Sequence, residues 1–334
     1  MSSLPVGLPA LGAVSYPGAQ AIQAAIQGMG LGMTGIVYYL DPALGDDHNN
    51  GLLPTSAVAT LAEGYARLRS GYNDVLVLIG NGTSTGTARI ATFTWAKNAA
   101  HLIGVCAPSQ ISQRARIANA TTAGLTMTAN FFTVSGNGCL FQNLSWFHGA
   151  GAGQTGIASD ICLTVSGTRN AFINCHMAGM GDSTSATSSG SRNILVTAGE
   201  NYFGHCFIGI DTVQRTNANA SVEIKSGANR TIFEDCIFPF WSTDGLQYGL
   251  LVAAASGMDR MVMFKGCNAY AANSGGATAI AAFLHLAANA GGIVCFDNTS
   301  GLYNITAIGD ATSKAQTFVS GGTATNGVKG IVAT

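Results

Sequence analysis

Acid–base chemistry on sugars needs carboxylates in pairs, and this chain has few of them. Its glutamates are Glu63, Glu200, Glu223 and Glu234, and its aspartates are scattered over 334 residues. A glycoside hydrolase sets two acids roughly 5–9.5 Å apart. A lyase wants clustered aspartates for calcium and a basic residue to take a proton. The densest polar group is Asp41, Asp46, Asp47, His48, Asn49 and Asn50. It has the oxygen donors of a hard-cation site, but Asp, Asn and Gly at this density more often build a turn through side-chain-to-backbone bonds. Gly30-Leu-Gly32-Met-Thr-Gly35 has the letters of a dinucleotide fingerprint. That site needs a strand before it, and here the strand-like run Ile36–Leu40 follows instead. The eight cysteines include no C-x-x-C and no Cys/His pair at zinc spacing. No catalytic residue, metal or cofactor is therefore expected. Trp146, Trp241 and Tyr248, with Phe238 and Phe240, are expected in or near loops. There they would either stack on a sugar or anchor a subunit contact, where aromatics are enriched.

The elements that would position these groups come from a repeat. Phe172-Ile-Asn-Cys175 recurs as Phe203-Gly-His-Cys206, Phe233-Glu-Asp-Cys236 and Phe264-Lys-Gly-Cys267. Degenerate copies flank it at Phe141-Gln-Asn-Leu144 and Phe296-Asp-Asn-Thr299, so the Phe positions step by 31, 31, 30, 31 and 32. Each copy follows an alternating run such as Leu163-Thr-Val165 or Val222-Glu-Ile224 and a Gly or Asn turn. Period-2 alternation indicates half-buried strands. Each unit thus reads as strand, tight turn, strand carrying Phe and Cys, then a loop of small residues. Helical repeats are excluded because the units hold no helical stretch. A coil of parallel strands fits, with successive coils about 4.8 Å apart. Phe172, Phe203, Phe233 and Phe264 then form one inward ladder, and Cys175, Cys206, Cys236 and Cys267 another. Cysteine is among the most buried residue types and suits a narrow interior corner.

The register places His205 and Asp235 on adjacent coils, in a column that reads Asn143, Asn174, His205, Asp235, Gly266 and Asn298. They are a candidate His–carboxylate pair; the favoured reading is an Asn-type hydrogen-bonding ladder with two substitutions. Glu234 should point away from Asp235 on a strand and complete no dyad.

Composition bounds the partners. Charged residues are 9% of the chain, apolar residues 47%, Gly 44 residues, and the net charge is −1. There is no basic surplus for nucleic acid and no polybasic segment for an anionic membrane. No charged side chain precedes Asp41 and no Lys or Arg precedes Arg67, so the N-terminus has no positive region of a secretory signal. Free buried thiols in a protein kept in the cytoplasm until assembly are the expectation. Residues 1–35 read as an uncharged arm suited to docking on a partner.

Residues 54–70 read as an amphipathic capping helix, with Thr55 or Ser56 as cap and Val58, Leu61, Tyr65 and Leu68 as its apolar face. Tyr38-Tyr-Leu-Asp41, then Gly45-Asp-Asp-His-Asn-Asn-Gly51, Pro54, this helix and Asp74–Ile79 resemble the lead-in of pectate-lyase-like parallel β-helix proteins. The resemblance implies an all-β, right-handed parallel β-helix (solenoid) with an N-terminal capping helix, over residues 36–301. Residues 302–334 lose the repeat and are expected to form a C-terminal cap or trimerisation tail. Such folds carry lyases, hydrolases, adhesins and phage tailspikes, so fold alone does not decide function. The nearly uncharged surface and dispersed acids point to a bacteriophage virion protein, a capsid decoration (cement) or head-fibre protein. The resemblance implies a homotrimer, and the partner would be the major capsid protein or another virion protein. The alternative is a tailspike-like protein that binds or degrades host polysaccharide.

Overall fold

The structure is a computed structural model that describes residues 35–106, 115–297, 299–310 and 317–319. The expected docking arm, apart from Gly35, and most of the expected C-terminal tail lie outside the described residues, as does Asn298 of the ladder column.

The chain is an all-β right-handed parallel solenoid of about 7 turns with very little helix. Three sheets, here A, B and C, run along it with ten, eight and seven strands. A representative coil runs Ile161–Val165 in sheet C, Ala171–Ile173 in A and His176–Ala178 in B, then a loop to the next sheet C strand, Arg192–Val196. The sequence pattern accounts for two strands per unit, and the structure has three. The sheet B strand sits where a loop was expected. It is only two to four residues long in these units, too short to show alternation.

The register stacks like on like. Phe172 pairs with Phe141 and Phe203, Phe203 with Phe233, and Phe233 with Phe264. The rings from Phe141 to Phe264 stack at 4.8–5.0 Å, within 11° of parallel. All are fully buried, because an in-register parallel sheet places identical side chains one strand spacing apart. Cys175, Cys206, Cys236 and Cys267 form the adjoining column, at most 2% exposed and unbridged. The Cys206, Cys236 and Cys267 thiols each donate to the carbonyl of Phe172, Phe203 and Phe233 in the coil before, at 3.3 Å.

Between Phe and Cys the backbone turns from sheet A to sheet B through a left-handed residue. Asn143, Asn174, His205, Asp235 and Gly266 have φ of 56°, 52°, 52°, 51° and 62°. Gly enters this region freely and Asn, Asp and His are enriched there among other residues, which accounts for the column's composition. The Asn174 amide also donates to Asn143 at 2.7 Å.

The capping segment differs from the expected helix. Pro54–Ser56 is one 3-10 turn, and the α-helix spans only Leu61–Arg67. Its cap is Thr60, whose hydroxyl accepts from Glu63 N, rather than Thr55 or Ser56. Val58 precedes the helix and bridges to Leu40 as a strand residue, which forces the later start. Val58, Leu61 and Leu68 are nevertheless buried, so the apolar face is formed by strand and helix together. At the other end the solenoid continues past residue 301. Gly301–Tyr303 extends sheet B, and Thr317–Val319 pairs with Ile293–Phe296 in sheet A.

Candidate functional site

An exposed group of titratable side chains lies on sheet A and its corner with sheet B. Strands Tyr202–Gly204, Thr231–Glu234 and Met261–Lys265 are successive in sheet A, so Tyr202, Glu234 and Lys265 meet on its outer face. The Tyr202 hydroxyl donates to Glu234 Oε2 at 3.1 Å, and Lys265 pairs with Glu234 Oε1. Lys265 and Tyr202 hold the Glu234 carboxyl below its usual range. Burial and the Glu234 acceptor push the Tyr202 phenol up to about 12. Glu234 is thus a committed anion and Tyr202 keeps its proton at neutral pH. Neither is poised for proton transfer there.

His205 and Asp235 do come together at the corner, with Nδ1 and Oδ2 3.7 Å apart and both side chains about half exposed. That separation is longer than a hydrogen bond. In water such a contact is worth roughly 0–1 kcal/mol. The Coulombic pull of His205 also reaches Glu234, so Glu234 belongs to the same exposed patch although it completes no dyad. Nearby, Glu200 bridges Arg230 at 2.6 Å and Arg169 at 2.7 Å across neighbouring coils.

The aromatic candidates are placed otherwise than expected. Trp146 sits within strand Ser145–Phe147 and is fully buried among Phe132, Phe141 and Phe172. It cannot touch a glycan. Phe238 and Phe240 are likewise core residues of strand Ile237–Phe240. The cause in each case is the third strand, which takes residues from the expected loop. Trp241 remains in a loop, partly buried, and its indole donates to Gly276 O at 3.1 Å. Tyr248 opens strand Tyr248–Val252 and stacks on His285 at 4.9 Å; His285 in turn pairs with Asp310.

The polar turn is spent on the backbone. Asp41 accepts from Ala43 N and Leu44 N, and Asp47 from Ala59 N, Thr60 N and the Thr60 hydroxyl. Asp46 pairs with His48. Among the described residues no group of three or more His, Cys, Asp or Glu is arranged to hold a metal ion.

Three buried polar features escaped the sequence. His148 and Asp160 form a pair at 2.5 Å, both 1% exposed, with the imidazole stacked on Phe131. Burial raises the Asp160 pKa. Arg192 pairs with Glu223 at 2.8 Å, and Lys225 shares that carboxylate. Arg215 is enclosed by Asn219, Ser221 and the ring of Phe240, and burial with nearby Arg192 pushes its pKa down to about 9. An Asn ladder at the sheet C to sheet A corner was also missed. Cys139 N donates to Asn170 Oδ1 and Asn170 N to Asn201 Oδ1. Its 31-residue spacing was a usable signal.

All sixteen carboxylates of the chain lie in described residues and each has a partner within the protein. The remaining seven are also engaged. Glu63 pairs with Arg67 and Asp74 with Arg69, Asp182 caps Thr184 N and Ser185 N, Asp211 accepts from Tyr270, and Asp259 pairs with Arg260. Asp244 and Asp297 accept backbone N–H groups.

Comparison with solved structures finds the same fold. A pectin methylesterase bound to a hexasaccharide aligns with a TM-score of 0.54 at 14% identity, over 87% of this chain and 92% of that one. The pectate lyase Pel9A gives 0.51 at 14% identity over 79% of this chain, which spans 62% of that enzyme's length. A rhamnogalacturonan lyase gives 0.50 at 13% identity, over 80% and 68%. No family model matches the chain, and no curated protein matches it in sequence. At these identities the likeness is one of fold.

Proposed function

We propose that this chain is a non-catalytic structural protein of a bacteriophage particle: a trimeric capsid decoration or head-fibre protein that docks through its N-terminal region. The observation that carries the structural reading is that the carboxylates have partners within the protein (a backbone N–H, a hydroxyl or a basic side chain), the loosest being Asp235, 3.7 Å from His205. A polysaccharide-cleaving site needs an acid free to donate a proton or a carboxylate free to attack or abstract. Here Glu234 is held by Lys265 and Tyr202, and Glu200 by two arginines. The most enclosed acid, Asp160, lies against His148 away from the surface. The charge-poor chain and its rigid stacked core supply a stiff, soluble shape with little non-specific electrostatics.

The alternative, a host-polysaccharide-degrading protein, draws on the fold shared with the pectin-acting enzymes and on the exposed Tyr202, His205, Glu234 and Asp235 patch. Two measurements separate the readings. Incubation with pectins and bacterial capsular polysaccharides should release no new reducing ends or unsaturated products. Cryo-electron microscopy of particles carrying the protein should show three copies at each shell or head-fibre position. Depolymerisation abolished by Glu234→Gln would overturn the structural reading; copies confined to the tail tip would overturn the head location.

A further inference from the structure

Sheet A changes character along the solenoid. In its first coils the run Val75-Leu-Val-Leu-Ile79 is apolar at every position. Later strands, Thr231–Glu234 and Met261–Lys265, carry Glu234 and Lys265 on the outer face. A parallel strand that is apolar throughout is one buried on both faces. The register separates the two faces. Leu76, Leu78 and Leu102 join the main core, while Tyr39, Val77 and Ile103 lie side by side on the outer face. Side chains on a bare sheet face stay partly open to water. Yet Val77 is fully buried, and Val75, Ile103 and Tyr39 are only 3%, 5% and 7% exposed. Among the described residues, the only member of this second apolar cluster from off the sheet is Ala57. One methyl group cannot close three strands, so another segment has to lie over them.

Residues 1–34, outside the described residues, lead directly into this face. Gly35 is pressed against the sheet, where a Cβ would fall 2.0 Å from Asn73 O. Ile36 N donates to Asp74 Oδ1 at 2.7 Å, and Val37 opens the first strand. Within residues 1–34, Gly18-Ala-Gln-Ala-Ile-Gln-Ala-Ala-Ile-Gln-Gly28 is uncharged. Helical spacing sets Ala19, Ile22 and Ile26 on one face and Gln20, Gln23 and Gln27 on the other. A helix from Ala19 to Gln27 would be about 14 Å long and about 10 Å wide. The apolar face measures about 10 Å across its three strands and about 13 Å from Val75 to Ile79. The stretch Met29–Gly35, with glycine at 30, 32 and 35, reaches up to about 23 Å, enough to fold such a helix back on the sheet. Residues 107–114, which follow Cys106, hold one large aliphatic side chain, Ile111, too little for this face.

We propose that residues 18–28 form an amphipathic helix that packs Ala19, Ile22 and Ile26 onto Tyr39, Val77 and Ile103 of the same chain. The glutamines then face water. The docking segment expected over residues 1–35 shortens to residues 1–17, and the rest of the arm belongs to the solenoid. The helix does not depend on the virion reading, because it is tested on the isolated chain.

The test is hydrogen exchange on the full chain. Amides of residues 19–27 should exchange at least about ten-fold more slowly than in a synthetic peptide of the same sequence. Ile22→Glu with Ile26→Glu should remove that protection and let the dye ANS bind the apolar face left open. Gln20→Glu with Gln23→Glu puts the same charge on the other face of the helix and should do neither. Both pairs lie in the arm and leave the solenoid core untouched. Photo-methionine at Met29 then locates the helix: irradiation should cross-link it to Val37–Leu40, Asp74–Ile79 or Ala100–Val105. In mixtures of 15N-labelled and unlabelled chains, those links should fall within one chain. Three results would each overturn the proposal. One is exchange of residues 19–27 at the peptide rate. Another is an equal effect of the two pairs of substitutions. The third is cross-linking of Met29 to another part of the chain or to a second copy, the latter meaning an arm swapped between subunits.

Discussion

Replacing Phe203 by alanine removes a ring from the middle of the stacked column, and its cost follows from position. Phe203 is fully buried and stacks on Phe172 at 4.8 Å and on Phe233 at 4.9 Å. Core Phe→Ala changes cost about 3–5 kcal/mol, and each aromatic pair adds about 0.5–1.5 kcal/mol beyond area. Two lost pairs place Phe203→Ala at the upper end, about 5 kcal/mol. Phe296, near the end of the column, meets Phe264 at 5.8 Å with a 37° tilt and lacks this parallel stacking. Phe296→Ala should cost nearer 3 kcal/mol, at the lower end of the same range. Urea unfolding followed by the fluorescence of Trp95 and Trp146, both buried beside the column, reads the difference. A two-state fit is not assumed for a stack of coils, so unfolding midpoints of the two variants are compared directly. If Phe203→Ala shifts the midpoint no further than Phe296→Ala, or costs under about 1 kcal/mol, the column does not carry the fold as argued.

Stability should fall as the medium is acidified from pH 6.5 to 4. Burial pushes the His101 and His176 pKa values down to about 4 from 6.5. The folded state favours the neutral rings, so their contribution is complete above 6.5 and is lost as pH falls through this window. The loss is about 1.4 kcal/mol per pH unit for each ring. Urea midpoints at pH 7 and 5 should differ, and His101→Gln with His176→Gln should flatten the dependence. Asp235→Val should cost about 1–3 kcal/mol, since a β-branched residue is strained at φ 51°, whereas Asp235→Asn should be nearly neutral in thermal denaturation. Glu223→Gln should cost about 3–5 kcal/mol by leaving the Arg192 guanidinium buried without its partner. The same assay on Arg192→Met with Glu223→Leu should recover most of that loss.

Much of the fold could be read because a parallel solenoid turns sequence period into spatial register. Residues about 31 apart become neighbours one strand spacing away, so the Phe and Cys columns and the Asn, His, Asp and Gly corner are visible as recurrences. The left-handed φ of that corner even accounts for which residues recur. Elements that do not recur were hidden. The sheet B strands are too short to alternate, and for that reason Trp146, Phe238 and Phe240 were assigned to loops when they belong to the core. The capping helix began later than its apolar spacing suggested because Val58 was taken into a strand bridge with Leu40.

Sequence alone settled that Phe172, Phe203, Phe233 and Phe264 share one environment, because equal spacing in a coil forces equal position. It could not settle the fate of polar groups whose partners lie off register. The His148–Asp160 contact joins a sheet B strand end to the following sheet C strand across a loop. The enclosure of Arg215 depends on how another loop folds back. Loop paths have no period, and burial and pairing of charge depend on three-dimensional distance, so these features were decided by the tertiary structure.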